Sequence, residues 1–264
     1  MTLQRPLNYY GSKEKLCPAI YRLIPPGVET WVDLFCGSGI VTLKKPRHPR
    51  EVVNDLNRDV INLFAVLRGG GAGELYRLLE LTPYSQQILA EIYAAEPSPD
   101  PITRAWQFLI MSWQARGGDC YQTGFRWSKG QTTAPEITWS RLPQRLAAVA
   151  ERLRGVCIRE VDALRLIDDY DVPGSLLFAD PPYPGPVGRR YAVLMAEETH
   201  AALARRLAAC RARVILTMNP DTIYSEILQD WHRHDVSVLG GGGQVKGELI
   251  LTNFEPSPLF GGGV

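Results

Sequence analysis

Short apolar runs recur along the chain, separated by stretches with helical spacing. Thr30–Phe35 (TWVDLF) reads as a buried strand, and Glu51–Asn54 (EVVN), Cys157–Val161, Ser175–Ala179 (SLLFA) and Arg213–Met218 (RVILTM) read as further strands. Between them, Asp59–Leu67 and Thr199–Cys210 (THAALARRLAAC) read as helices. Strands alternating with helices predict an α/β domain built on a parallel sheet. The end of the chain departs from that rhythm. Asp235–Leu239 and Glu248–Asn253 are strand-like and joined by the glycine-rich GGGGQVKG, which predicts a terminal antiparallel hairpin.

The alternation is also broken between about Leu81 and Arg154. This stretch carries Trp106, Trp113, Trp127 and Trp139 and several Pro- and Gly-containing loops. It reads as an insertion: residues 85–154 form a second lobe, and residues 1–84 and 155–264 together form the main domain. Trp106 and Phe108, on the helix-like ITRAWQFLIMSW, read as core. FEPSPLFGGGV reads as a tail, and no internal repeat is visible.

A hydrophobic content of 45% supports a full core, and 22% charged residues argue against bulk disorder. No apolar run approaches the ~20 residues of a membrane helix, and the amino terminus lacks the apolar centre of a signal peptide. These features read as a soluble cytoplasmic protein. The five cysteines are scattered and form no CxxC, which reads as reduced thiols rather than a disulfide scaffold or a zinc site. No metal is expected. Net charge is only +1, but its distribution is uneven: residues 1–50 and 104–154 each carry +5, against −5 for 51–103 and −4 for 155–264. Two basic blocks on an acidic body suit phosphate contacts or ordinary surface charge.

Two motifs carry chemistry. Asp33-Leu-Phe-Cys-Gly-Ser-Gly39 ends a strand, where glycines allow a tight turn and close approach of a ligand to the backbone. Alone it is a weak signal. Asn54-Asp55 then ends the second strand, where a carboxylate can accept from ribose hydroxyls. No third glycine and no GK[ST] follow, so dinucleotides and nucleoside triphosphates are disfavoured. Cys36, inside this turn, reads as a small packing residue. The second motif is Asp180-Pro181-Pro182-Tyr183, directly after SLLFA. An exocyclic amino group on an aromatic ring is a poor nucleophile because its lone pair is delocalised. A carboxylate and a proline-fixed carbonyl that both accept from the NH2 would localise that pair. The tyrosine offers a face on which a base stacks. The plain alternative is a strand followed by a Pro-rich turn.

Together with Asn8-Tyr-Tyr-Gly-Ser-Lys13, these motifs resemble the Dam-like, D12-class (alpha-group) family of adenine-N6 DNA methyltransferases, over roughly residues 5–84 and 155–255. The resemblance implies a Rossmann-like S-adenosylmethionine-dependent methyltransferase fold, with a mostly parallel seven-stranded sheet. It implies S-adenosylmethionine as cofactor and double-stranded DNA as partner. Tyr9, Tyr10, Gly11 and Lys13 match the segment packing on the methionine part of the cofactor. Asp33, Phe35, Gly37 and Gly39 match the motif beneath its amino-acid part, Asp55 the ribose-binding acid, and Asp162 the acid near its adenine ring. Asp180, Pro181, Pro182 and Tyr183 match the catalytic motif. Where the family often opens the glycine motif with Glu-Pro or Asp-Pro, this chain has Asp33-Leu34. Action as a monomer, in a bacterial or phage-infected cell, is the expectation.

The insertion aligns with nothing recognisable and would hold target recognition. Arg116, Arg126 and Lys129 interleave with aromatics there and are candidate DNA contacts. So are Arg189, Arg190 and Tyr191 in the loop after the catalytic motif. His200 reads as structural or as a minor phosphate contact. The rival readings are the same chemistry on cytosine N4 or on RNA, and a catalytically silent DNA-binding homologue. Serine is usual at position 180 in the cytosine-N4 enzymes, so Asp180 favours adenine.

Overall fold

The computed structural model describes residues 3–118, 123–128, 134–184, 193–220, 223–239 and 245–256. In chain order the elements are α1 (Cys17–Arg22), β1 (Thr30–Asp33), α2 (Ile40–Lys44), β2 (Arg50–Asn54), α3 (Arg58–Arg68), α4 (Ala72–Leu81), α5 (Gln86–Ala94), α6 (Pro101–Gln114), α7 (Pro135–Ser140) and α8 (Leu142–Arg152). These are followed by β3 (Val156–Arg159), α9 (Ala163–Tyr170), β4 (Ser175–Ala179), α10 (Glu197–Ala208), β5 (Arg213–Met218), α11 (Ile223–Ile227), β6 (His232–Leu239) and β7 (Val245–Thr252).

The strands form a seven-stranded sheet in the order β3-β2-β1-β4-β5-β7-β6. The first five strands run parallel, and β7 pairs antiparallel with both β5 and β6. This is the expected fold class, terminal hairpin included. Helices cover both faces, so every residue of β1 and β4 is buried, and alternate residues of one strand feed opposite cores. Val32 and Leu177 pack with Leu166 of α9 and Leu203 of α10, while Trp31 and Phe178 pack with Ile20 of α1 and Ile40 of α2.

One boundary moves for a clear reason. The third strand was expected to reach Val161, but β3 ends at Arg159. The Asn54 amide takes over the pairing: its Nδ2 donates to the carbonyls of Leu34 and Val161, and its Oδ1 accepts from the Val161 N–H, each at 3.0 Å. One side chain thus ties together the carboxyl ends of three neighbouring strands.

Helices α4 to α8 stack outside α3. Leu89, Phe108, Trp113, Trp139 and Leu146 join Val53 of β2 and Leu63 and Phe64 of α3 in one apolar cluster. The buried indoles find acceptors, as they must in an apolar core: Trp113 Nε1 donates to the Pro6 carbonyl at 2.9 Å and Trp139 Nε1 to the Thr82 carbonyl at 2.8 Å. Helix α8 is also fastened by charge. Arg152 grips the buried Glu51 of β2 at 2.6 and 2.9 Å, and Lys45 pairs with the same carboxylate. Among the described residues no helix is long and apolar enough to cross a membrane.

Candidate active site

Strand order reverses between β1 and β4, and the carboxyl ends of strands at such a point diverge into a crevice. A cavity of about 280 Å³ lies there. Its wall is made by Tyr9, Tyr10, Gly11 and Lys13 of the amino-terminal segment, Phe35 to Ser38 after β1, Asn54 to Asn57 after β2, Asp162 and Ala163 after β3, and Asp180 and Pro182 after β4.

The turn after β1 is fixed by backbone geometry and one carboxylate. Gly37 has φ of 47°, and a Cβ there would stand 3.1 Å from the Tyr9 ring. Glycine is required on both counts. The Cys36 N–H donates to the Asn54 carbonyl at 2.8 Å. Asp55 Oδ2 accepts from the Gly37 N–H at 2.7 Å and Oδ1 from the Asn57 N–H at 2.9 Å. Burial pushes the Asp55 carboxyl above its ordinary value, and these backbone N–H groups pull against it. Each oxygen keeps a lone pair for a hydroxyl donor. Asp162 caps α9, accepting from the Leu164 N–H at 2.8 Å, while its residue borders the cavity.

The turn after β4 carries Asp180-Pro181-Pro182-Tyr183. Asp180 is 16% exposed, and its Oδ1 takes two donors: Lys13 Nζ at 2.9 Å and Thr217 Oγ1 of β5 at 2.7 Å. Burial pushes the Asp180 carboxyl up, and the Lys13 charge and the two hydrogen bonds oppose that rise. The Lys13 ammonium also donates to the Gly11 carbonyl at 2.9 Å and lies 4.7 Å from the centre of the Tyr183 ring. Tyr183 is buried, and its hydroxyl donates to Glu248 Oε2 of β7 at 2.7 Å.

Ten of the residues singled out in the sequence therefore share one cavity wall: Tyr9, Tyr10, Gly11, Lys13, Phe35, Gly37, Asp55, Asp162, Asp180 and Pro182. Asp33, Gly39, Pro181 and Tyr183 do not line it. Asp33 is buried and accepts from Thr42 Oγ1 at 2.7 Å; its Oδ1 has no hydrogen-bond partner among the described residues. Gly39 has φ of 69°, and a Cβ there would meet the Phe64 ring at 2.9 Å. Cys36 is buried with its thiol pushed well above the ordinary range, in keeping with a packing role. His200 is 1% exposed with Nδ1 2.9 Å from the Tyr224 hydroxyl, so burial rules out a phosphate contact and leaves the structural role.

Arg116 follows Ala115 and Arg126 follows Phe125, two residues joined by an antiparallel bridge. Lys129, Arg189, Arg190 and Tyr191 lie outside the described residues. Sequence reading did not single out Asn54 or Thr217 as site residues. Asn54 looked like part of a strand end, and Thr217 like one more residue of an apolar strand.

Residues 9–95 match the family described as D12 class N6 adenine-specific DNA methyltransferase. Over 86 residues the chain is 34% identical to the modification methylase LlaI of Lactococcus lactis subsp. lactis. That match covers 32% of this chain and 14% of the relative, so the chain spans only a small part of that protein's length. Two solved structures align at 12% identity: a conserved hypothetical protein of Streptococcus pyogenes (TM-score 0.42, 93% of this chain and 98% of that one) and a putative methyltransferase, yhhF, of Escherichia coli (TM-score 0.41, 94% and 90%). The matched residues include the tyrosine pair, Lys13, the glycine turn and Asp55; Asp180 and Thr217 lie beyond them.

Proposed function

We propose that this chain is an S-adenosylmethionine-dependent methyltransferase that acts on the exocyclic N6 of adenine in double-stranded DNA. The observation carrying this reading is the position of Asp180. A carboxylate fixed at one oxygen by Lys13 and Thr217 borders the same cavity as a glycine turn and a ribose-competent acid.

The residues present fit the cofactor. The Gly37 turn admits a ligand against the backbone, Asp55 offers lone pairs to a diol, Asp162 borders the place for a purine, and Phe35 supplies an apolar wall. Asp33 adds a buried acceptor behind the turn. The cavity lies near the lower end of small-molecule sites, which span roughly 300–1,000 Å³. S-adenosylmethionine, when bound, supplies a methyl group on a sulfonium.

The chain's own part is positioning. An adenine amino group is not reachable inside the base stack, so the base would leave the duplex to reach the cavity. The ionised Asp180 accepts one N–H of the amino group, and the Pro181 carbonyl accepts the other. Both acceptors favour the pyramidal nitrogen that can attack, and their fixed placement lowers the cost of alignment. Tyr183, held at its hydroxyl by Glu248, would present its ring for stacking. Residues 85–154 would form the target-recognition lobe, and Arg116 and Arg126 would contact the duplex. Nothing in this scheme needs a covalent link to the protein.

The test is methyl transfer from labelled S-adenosylmethionine to unmethylated genomic DNA, followed by nucleoside mass spectrometry. N6-methyladenine supports the reading. N4-methylcytosine, or label entering only RNA, overturns it.

A further inference from the structure

The two basic blocks of the sequence meet at one indole. Trp113, at the end of α6, is 3% exposed and locked by its hydrogen bond to Pro6. The Arg5 and Arg145 guanidinium groups lie 5.9 and 5.5 Å from the centre of its ring. Arg5 comes from the first basic block and Arg145 from the second. Two more arginines stand beside them. Arg126 is held by its backbone, its N–H donating to the Gln114 carbonyl at 2.7 Å and its carbonyl accepting from the Tyr84 hydroxyl at 2.6 Å. Arg141 is exposed at the start of α8.

These cations are under-compensated. Burial lowers the affinity of Arg5 and Arg145 for their protons; Arg126 adds to the effect at Arg5, and Arg141 at Arg145. Glu14 opposes both, yet it stands 3.8 Å from Arg5 and 2.8 Å from Lys44, so it is shared. Among the described residues no carboxylate pairs with Arg126, Arg141 or Arg145. Like charges held together without counter-ions cost folding energy, and a polyanion is what relieves such a cost.

The cluster also lies on the side of the cavity. Ser112, one residue before Trp113, donates to the Asn8 carbonyl at 2.9 Å, next to the cavity residues Tyr9 and Tyr10. At its far end α8 grips Glu51, near the amino end of β2. Arg141, at the start of α8, lies roughly 16 Å along the helix axis from that grip.

We propose that Arg5, Arg126, Arg141 and Arg145, organised around Trp113, form a contact surface for the phosphate backbone of duplex DNA beside the cavity. This rests on the methyltransferase reading above. The guanidinium fork suits phosphate oxygens, and stacking on a fixed indole removes much of the freedom that a long side chain would otherwise lose on binding. Four cations drawn from three separate segments match a run of phosphates better than one small anion. They hold the duplex in register and read no bases.

The test uses the full chain, a fluorescent duplex and a salt series, with Arg141→Ala, the double variant Arg126→Ala/Arg141→Ala, and Arg141→Lys as the charge-preserving control. Melting temperature, expected to equal or exceed the parent's once a like charge is removed, and unchanged S-adenosylmethionine affinity, measured in parallel, exclude misfolding. Each lost contact should lower the slope of log affinity against log salt by about 0.9, or about eightfold in affinity at ~0.1 M salt. Arg141→Lys should keep the slope. A parent that binds and methylates the duplex beside variants with unchanged affinity and slope overturns this surface alone. A parent that binds no duplex at any salt, or only an acidic protein, overturns the methyltransferase reading and this surface together.

Discussion

Lys13 and Asp180 meet at 2.9 Å, ammonium to Oδ1, and Thr217 donates to the same oxygen at 2.7 Å. With Oδ1 taken twice, Oδ2 carries the acceptor capacity that remains for an incoming amino group. The pair links the amino-terminal tyrosine segment to the turn after β4, so the residues that would bind the cofactor and those that would bind the target base share one buried charge contact.

Removing that contact should act on the rate and on its pH dependence. In Lys13→Gln, turnover is expected to fall roughly 10- to 100-fold, the worth of a charge-assisted hydrogen bond. Burial already pushes Asp180 up, and Lys13 opposes that rise. Without the lysine the ionised carboxylate forms only at higher pH, so the acidic limb of the rate profile should move to higher pH. A pH–rate profile checks this; a limb that stays in place contradicts the role.

Thr217→Val keeps the shape and removes the donor. It should slow methyl transfer about 10- to 100-fold, in line with one hydrogen bond to an ionised acceptor. Thr217→Ser should restore most of the rate. Equal rates for the valine and threonine proteins would show that Lys13 alone orients Asp180.

The legible part of this site is the part written in unusual residue types. The glycines at 37 and 39 announce a turn because few other residues adopt positive φ, and Asp180-Pro-Pro-Tyr183 stands out for the same reason of local chemistry. The sheet was legible too: β4 and β5 begin and end where their apolar runs do. What stayed hidden depends on tertiary register. Thr217 faces Asp180 only because β5 lies beside β4, and Glu248 reaches Tyr183 only because β7 inserts between β5 and β6. Trp113 looked like one of several aromatics among cations, and only packing shows it as a buried platform rather than a surface probe.

Gly37→Ala places a methyl group 3.1 Å from the Tyr9 ring at a φ of 47°. The strain should lower stability by about 1 kcal/mol, while S-adenosylmethionine affinity falls at least tenfold because the turn itself moves. Calorimetric titration beside thermal melting separates the two effects. Affinity equal to the parent's would mean that the cofactor does not approach this turn.

Asp33 gives a stability signature. Burial pushes its carboxyl up to about 7, from an ordinary value of 3.8. An acid whose folded value is raised favours the folded state below its unfolded value, and that contribution is lost as pH rises through the folded value. The parent should therefore lose stability between about pH 4 and pH 7 through this group. Asp33→Asn should flatten that part of the curve. Melting temperatures of both proteins across the range check it, and parallel curves would contradict a buried, proton-linked Asp33.

The most direct measurement is the yield of N6-methyladenine from unmethylated duplex DNA with the parent and with Asp180→Ala, while S-adenosylmethionine binding is followed on both proteins. The expected result is methylated adenine from the parent alone, with both proteins binding the cofactor alike. Methylated adenine at comparable yield from Asp180→Ala would contradict the central role given to that carboxylate.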